Sequence, residues 1–165
     1  MIGKPTIMIL GLILVYLTNI SSSARSQADY TPLLLSRDEL KESVFFKSAQ
    51  DFKNPGKIYV YNQYILIVDL FKGVHVIDNS TPESPFKTGF IHIPGCMDVA
   101  VRSDILYADN SVDLVAIDLS SYPEISIVSR IVDVFPEPTP PGSTSIPAEF
   151  SSRNRPKNTV IVGWK

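Results

Sequence analysis

Four aspartates recur at a fixed spacing in this 165-residue chain, and they are the first residues to test for chemistry. Asp69 and Asp109 lie 40 residues apart, as do Asp78 and Asp118. Repeated carboxylates could bind a cation, but none has the D-x-[DN]-x-[DN]-G spacing of a calcium loop. Asp78 and Asp118 each precede a serine by two residues, a position from which a carboxylate accepts backbone N–H groups. We therefore predict turn capping for these two.

The two histidines and the single cysteine are the other candidates for chemistry. His75 and His92 each lie within an apolar run, and neither has Cys, His or Glu at metal-ligand spacing. Both are predicted to be structural histidines. Cys96 follows Pro94 and Gly95 in a turn, and we expect a small buried hydrophobe rather than a reactive thiol.

No recognised catalytic or phosphate-binding motif accompanies these residues. The sequence contains neither a G-x-S-x-G nucleophile elbow nor a glycine-rich phosphate loop. We therefore predict no catalytic, cofactor-binding or metal-binding residues, and no cofactor. The chain is predicted not to be an enzyme.

The composition indicates a globular protein and argues against nucleic acid as its partner. Hydrophobic residues make up 44% of the chain and charged residues 19%, values typical of globular proteins. The 15 basic and 17 acidic residues are spread along the chain without a basic run, so nucleic acid is not an expected partner. With one cysteine, no internal disulfide can form, and the fold depends on packing.

The first residues are typical of an export signal. Lys4 precedes an uncharged apolar run over Thr6–Leu17, and small residues suitable for cleavage follow at Ser22 and Ala24 or at Ser26 and Ala28. The run is shorter than the roughly 20 residues that cross a bilayer. We predict a signal peptide over residues 1–28, with a buried core helix or an uncleaved anchor as alternatives. The protein is expected in the periplasm, on the outer membrane surface or outside the cell.

The mature chain contains an internal repeat. Ile58–Thr81 aligns without a gap on Asp98–Ser121, every residue displaced by 40, and six pairs are identical. In each unit, β-branched and aromatic runs alternate with turn residues, which predicts four strands per repeat. The predicted strands are 58–61, 64–69, 73–78 and 86–93, and then 99–101, 105–108, 114–118 and 125–131.

Four short strands in 40 residues is the period of a β-propeller blade. The inner strands are apolar on both faces, as sheets stacked blade against blade require, whereas a sandwich would more often leave one face polar. We therefore predict an all-β fold, a β-propeller built from four-stranded antiparallel blades with a repeat of 40 residues, of which this chain contains the N-terminal portion.

The repeat divides the chain into five segments. After the signal peptide, residues 29–56 include a single strand over Val44–Phe52, predicted to complete the last blade of the ring. Residues 57–135 form two blades, and residues 136–157 form a loop rich in proline and serine, which cannot supply a central strand. Residues 158–165 resume strand-like composition and are predicted to begin a further blade that the chain does not complete.

The third-strand segments resemble a known repeat. The sequences GVHVIDNSTP at Gly73–Pro82 and DLVAIDLSS at Asp113–Ser121 are similar to the motif of LVIVD-repeat proteins of Bacteroidetes-type bacteria. The resemblance continues through Gly56–Tyr59, Ile93–Gly95, Leu106–Asp109 and Val160–Trp164. It implies a β-propeller at the cell envelope and supplies no catalytic residues.

Three functional interpretations follow from the sequence. The favoured one is an exported binding or scaffold module for a protein or glycan ligand at the cell envelope, with self-association through exposed blade edges. A propeller-class enzyme would require polar residues from several blades to converge on a central channel. A non-functional fragment of a longer LVIVD-repeat protein is the third interpretation.

Overall fold

The computed structural model describes residues 30–165, and the predicted signal peptide lies outside the described residues. The first sheet contains five antiparallel strands in the order β2-β6-β5-β4-β3. Successive hairpins connect the last four of them, and β2 joins the free edge of β6. The strands are β2 (Phe45–Lys47), β3 (Pro55–Tyr61), β4 (Tyr64–Asp69), β5 (Gly73–Asp78) and β6 (Phe86–His92).

The second sheet is a four-stranded meander in the order β10-β9-β8-β7. Each strand pairs with its neighbour in sequence, and all pairs are antiparallel. The strands are β7 (Val99–Arg102), β8 (Ile105–Asn110), β9 (Asp113–Asp118) and β10 (Ser126–Ile131). Neither this sheet nor the first one closes on itself.

A two-stranded sheet joins the two ends of the described chain. β1 (Pro32–Ser36) pairs with β11 (Thr159–Trp164), and the backbones of Thr31 and Lys165 exchange two hydrogen bonds of 2.9 and 3.0 Å. The helix α1 (Arg37–Lys41) follows β1, and a 3₁₀ turn (Ala148–Phe150) interrupts the proline-rich loop. Among residues 30–165 no helix has the length and apolar character needed to cross a membrane.

The strands of the repeat lie close to where the sequence predicts them. β4 and β5 have the predicted bounds and pair in register, and β8 pairs with β9 as expected. The all-β antiparallel class is therefore confirmed. The first strand of the first unit starts earlier than predicted, at Pro55, so it crosses the expected segment boundary at residue 56. The proline-rich segment is a loop, as predicted.

The two large sheets share one hydrophobic core. The first sheet contributes Leu66, Val68, Val74, Val76 and Ile91, and the second contributes Leu106, Ala108, Val115 and Ile117, each at most 2% exposed. Burying one such aliphatic side chain stabilises the fold by about 1.5–3 kcal/mol. At the rim of this core, the hydroxyl of Tyr59 donates to the carbonyl of Val101 at 3.0 Å, so the edge strands β3 and β7 are linked directly.

The turn between the second and third strands differs between the two units by one residue. Asp69 pairs with Gly73 across the first turn, whereas Asn110 pairs with Asp113 across the second. The gapless displacement of 40 is therefore not preserved in three dimensions. Side chains alternate between the two faces of a strand, so a shift of one residue exchanges the faces. The repeat aligns Leu114 with the core residue Val74, but it is Val115 that lies in the core, and Leu114 lies on the opposite face.

The N-terminal segment holds the elements that the sequence interpretation missed. Ser36 caps α1, accepting from the Glu39 N–H while the Glu39 carboxylate accepts from the Ser36 N–H. This S-x-x-E capping box was present in the sequence but was not recognised. The predicted strand 44–52 is only three residues long and pairs with β6, so its assignment to the last blade of a ring is wrong. β2 instead forms backbone hydrogen bonds with the edge of β6, which would otherwise be unpaired.

A buried ionic network attaches this segment to the second sheet. Arg130 donates to Asn110 Oδ1 at 2.8 Å and to Asp113 Oδ2 at 2.9 Å, and its other nitrogen reaches the carbonyl of Leu40 at the end of α1. Arg37 adds contacts to Asp113 at 3.6 Å and to Asp133. Asp113 is 2% exposed, so losing either arginine would leave a buried carboxylate undercompensated.

Part of the outer face of each large sheet is open and apolar. On β3, Ile58 is 62% exposed and Val60 is 69% exposed. On the second sheet, Tyr107 and Ile131 are 38% and 56% exposed. Contiguous exposed apolar surface of this kind favours association.

We expect the chain beginning at Asp29 to self-associate at micromolar concentration. Substituting Ile58→Thr and Val60→Thr keeps strand-compatible side chains and removes apolar surface, so it should shift the protein toward monomer. Light scattering after size-exclusion chromatography measures this, with the exposed loop substitution Val132→Thr as control. A purely monomeric parent chain would contradict the expectation.

Candidate functional site

The carboxylate of Asp69 organises one end of the first sheet. It accepts hydrogen bonds from the backbone N–H groups of Lys53 and Asn54 at 2.8 and 3.0 Å, and from His75 Nε2 at 3.1 Å. The side chain is almost fully buried. Burial raises the pKa of Asp69, but the hydrogen bonds from His75, Lys53 and Asn54 outweigh this, and the pKa is lowered. The group is therefore a carboxylate that holds the segment before β3 against the sheet.

His75 is buried between two aromatic rings. Its ring centroid lies 4.3 Å from that of Phe52 and 4.8 Å from that of Phe90. Its Nε2 lies 3.1 Å from Asp69 Oδ2, and its Nδ1 has no hydrogen-bond partner among the described residues. His75 is 0% exposed, as expected for a core histidine, but one of its ring nitrogens is unsatisfied within the described chain.

A cavity of about 380 Å³ lies beside this buried pair, next to the segment between β2 and β3. Three lysines contribute to its wall: Lys47 from β2, Lys53 from the segment before β3, and Lys72 from the turn after β4. The other lining residues are Gln50, Asp51, Asp69, Phe90 and His92.

The positive charge of this cavity is not neutralised by ion pairs within the described chain. The lysines that form ion pairs there are Lys41, Lys57 and Lys87, and none of these lines the cavity. Asp51 pairs with Lys87 at 3.3 Å, and Asp69 accepts from two backbone N–H groups and His75, while the charge of Lys72 also acts on its carboxylate. Three lysines against these two aspartates leave the lining with an excess of positive charge. The arrangement can therefore accept negative charge from a ligand.

His92 is held at the wall of the cavity. Its Nδ1 donates to the carbonyl of Ser43 at 2.9 Å, and its ring contacts that of Phe45 at a centroid distance of 4.8 Å. Burial lowers the pKa of His92, and the charge of Lys47 adds to this, against the hydrogen bond to Ser43, which raises it. The neutral ring therefore has Nε2 as a hydrogen-bond acceptor.

The remaining sequence candidates have structural roles. Asp78 and Asp118 each accept from the N–H of the serine two residues on, at 2.8 Å, which confirms the predicted turn capping. Asp109 accepts from the N–H groups of Met97 and Asp98 at 2.9 and 2.8 Å, much as Asp69 does before β3. Burial, which outweighs these hydrogen bonds, raises the pKa of Asp109.

Cys96 is confirmed as a small buried hydrophobe in the shared core. Burial and the neighbouring Asp109 carboxylate raise the pKa of its thiol well above the ordinary value. Since the thiolate is the reactive form, this thiol is poorly placed to act as a nucleophile.

The sequence interpretation missed the lysine-lined cavity. Lys47, Lys53 and Lys72 belong to three separate segments and form no motif. The pairing of β2 with β6 and the anchoring of the next segment by Asp69 bring them together. The spacing of the lysines alone contains no signal for this. The aspartate and histidine were visible as candidates, but their contact depends on the register of β4 and β5.

Comparisons with known proteins leave the site to be interpreted from its own residues. The chain matches no protein-family model, no curated protein and no solved structure. Within the described residues, no group of three or more His, Cys, Asp and Glu side chains could hold a metal ion. The charge and shape of the cavity are therefore the observations on which its function is argued.

We expect Asp69→Ala to destabilise the protein by about 3 kcal/mol, because it removes the acceptor of three donors around an almost fully buried group. Denaturant unfolding followed by tryptophan fluorescence measures the change. Asp78→Ala, at an exposed turn with one backbone donor, is the matched control and should have a much smaller effect. Equal losses for the two variants would contradict the central role of Asp69.

We also expect stability to depend on the ionisation of His92. Its pKa is lowered in the folded state, so the unfolded chain binds more protons as the pH falls through its usual value of about 6.5. Stability should therefore decrease from pH 7.5 to 5.5, and His92→Gln should reduce that decrease. Unfolding midpoints across this range provide the test, and identical pH profiles for parent and variant would exclude the effect.

Proposed function

We propose that this protein is an exported β-propeller module that binds a ligand at the cell envelope, and that the lysine-lined cavity is its binding site. The main observation behind this proposal is a partly open cavity lined by three lysines, none of which forms an ion pair with a carboxylate among the described residues. Concave sites with a few convergent polar groups are typical of ligand binding.

The stacking of the two large sheets supports the propeller part of the proposal. Each sheet contains a four-stranded meander, the first strands β3 and β7 are neighbours, and apolar surface is open on both sides of the stack. Further blades would cover the exposed part of each face, which includes Ile58 and Val60 on the first sheet and Tyr107 and Ile131 on the second. The envelope location rests on the predicted signal peptide and on the resemblance to LVIVD-repeat proteins.

The same residues favour binding over catalysis. The buried Asp69–His75 pair resembles part of a catalytic triad, but His75 has no exposed surface, and its hydrogen bond to Asp69 is the only one it makes within the described chain. A nucleophile would have to contact the ring for that pair to act as a base. The pair instead positions the wall that contains Lys53.

The experiment measures binding of the recovered protein to purified envelope polymers. Protein taken from the envelope fraction should have an N-terminus near Asp29, and it should co-sediment with at least one anionic envelope polymer. The substitutions Lys53→Gln and Lys72→Gln together should weaken binding at least about tenfold, because charge-assisted contacts are lost.

The matched control removes the same charge elsewhere, through Lys157→Gln and Lys165→Gln. These lysines are exposed and do not line the cavity. Equal weakening by the two pairs would indicate general charge attraction and contradict a site at the cavity. An intact Met1 on the recovered protein would contradict the predicted processing.

A further inference from the structure

We propose that the cavity binds an acidic saccharide, that is, a sugar ring bearing a carboxylate. This inference rests on the proposed function and specifies its ligand class. The reasoning uses the charge of the wall, its hydrogen-bond acceptors and its apolar floor.

The charge of the wall selects an anion. Lys47, Lys53 and Lys72 line the cavity from three separate segments, and the Lys47 ammonium also lies 5.0 Å from the centroid of the Phe45 ring. Lys53 is fixed through its own backbone N–H, which donates to Asp69 at 2.8 Å. A ligand carboxylate can therefore form ion pairs with these lysines, and the backbone of one of them is held against the sheet.

The acceptors of the wall select hydroxyl groups on the same ligand. Gln50 donates its amide nitrogen to the Ser48 carbonyl at 3.0 Å, which leaves its amide oxygen to accept. His92 is neutral and has Nε2 as an acceptor, and Asp51 contributes a carboxylate that is mostly exposed. An anion without hydroxyl groups would leave these acceptors unsatisfied. A hydroxylated ring with one carboxylate satisfies both sets.

The floor of the cavity offers an apolar surface. Phe90 lines it and is 5% exposed, held in place by its contact with the buried His75. Phe45, 44% exposed, contacts His92, and the Lys47 ammonium lies 5.0 Å from its ring centroid. The C–H face of a sugar ring packs against aromatic side chains of this kind. A volume of about 380 Å³ is within the range of small-ligand sites and accommodates a short oligosaccharide.

The test uses trigalacturonate as the probe, with its methyl ester as a neutral probe of the same shape and citrate as an anion without a sugar ring. Isothermal titration calorimetry on the full mature chain should detect trigalacturonate binding. The ester and citrate should each bind at least about tenfold more weakly, because the ester lacks the carboxylates and citrate has a single hydroxyl group and no sugar ring.

Variants locate the binding and guard against unfolding. Lys53→Gln with Lys72→Gln should weaken trigalacturonate binding at least about tenfold, whereas Lys157→Gln with Lys165→Gln should leave it unchanged. Thermal melts of both pairs should match the parent chain, because these side chains lie at the surface.

The outcomes separate this inference from the proposed function. Equal binding of trigalacturonate and citrate, lost in the cavity variants, overturns the saccharide class while the anion-binding cavity stands. Equal binding of the acid and its ester overturns the role of the lysines in selecting the carboxylate. Absence of binding by every probe overturns the inference, and the envelope sedimentation experiment then decides the proposed function independently.

Discussion

The structure depends on the burial of one face of each large sheet against the other. Leu66 and Val74 from the first sheet and Leu106 and Ile117 from the second are almost completely removed from water. Since no disulfide is available, this apolar contact is the main source of cohesion between the sheets. The hydroxyl of Tyr61, which donates to Asp104 at 2.5 Å, adds a specific link at the rim. Burial and the Asp104 carboxylate raise the pKa of Tyr61 to about 12, so this donor keeps its proton.

Two buried carboxylates then attach the remaining segments to that core. Asp69 accepts hydrogen bonds from the backbone before β3, which forms one wall of the cavity. Asp113 contacts the two arginines that hold α1 to the second sheet. In both cases one carboxylate satisfies donors from distant parts of the sequence. The cavity therefore results from the way in which the first sheet satisfies its buried polar groups.

Strand positions were readable from the sequence because they depend on local patterns. The runs YILIVD and GVHVID end at turn residues, and their bounds matched the structure. The pairing of β2 with β6 was not readable, because a strand of three residues has too little pattern to specify its partner. The one-residue difference in turn length could not be predicted from the sequence either. A gapless alignment with six identities predicts the same pairing for Asp69 and Asp109, whereas the two residues occupy different pairing registers. The cavity lysines could not be found for a related reason, because their proximity is created by those pairings.

The sheet of β1 and β11 determines how the molecule would respond to a pulling force. Pro32 pairs with Trp164 at the end where the described chain begins and finishes, and Thr31 and Lys165 extend that ladder. A load applied between these two points acts across the antiparallel pair rather than along it, so its hydrogen bonds would break one after another. The large sheets would remain unloaded until this ribbon had opened. Tension would therefore release the N-terminal segment before it reaches the shared core.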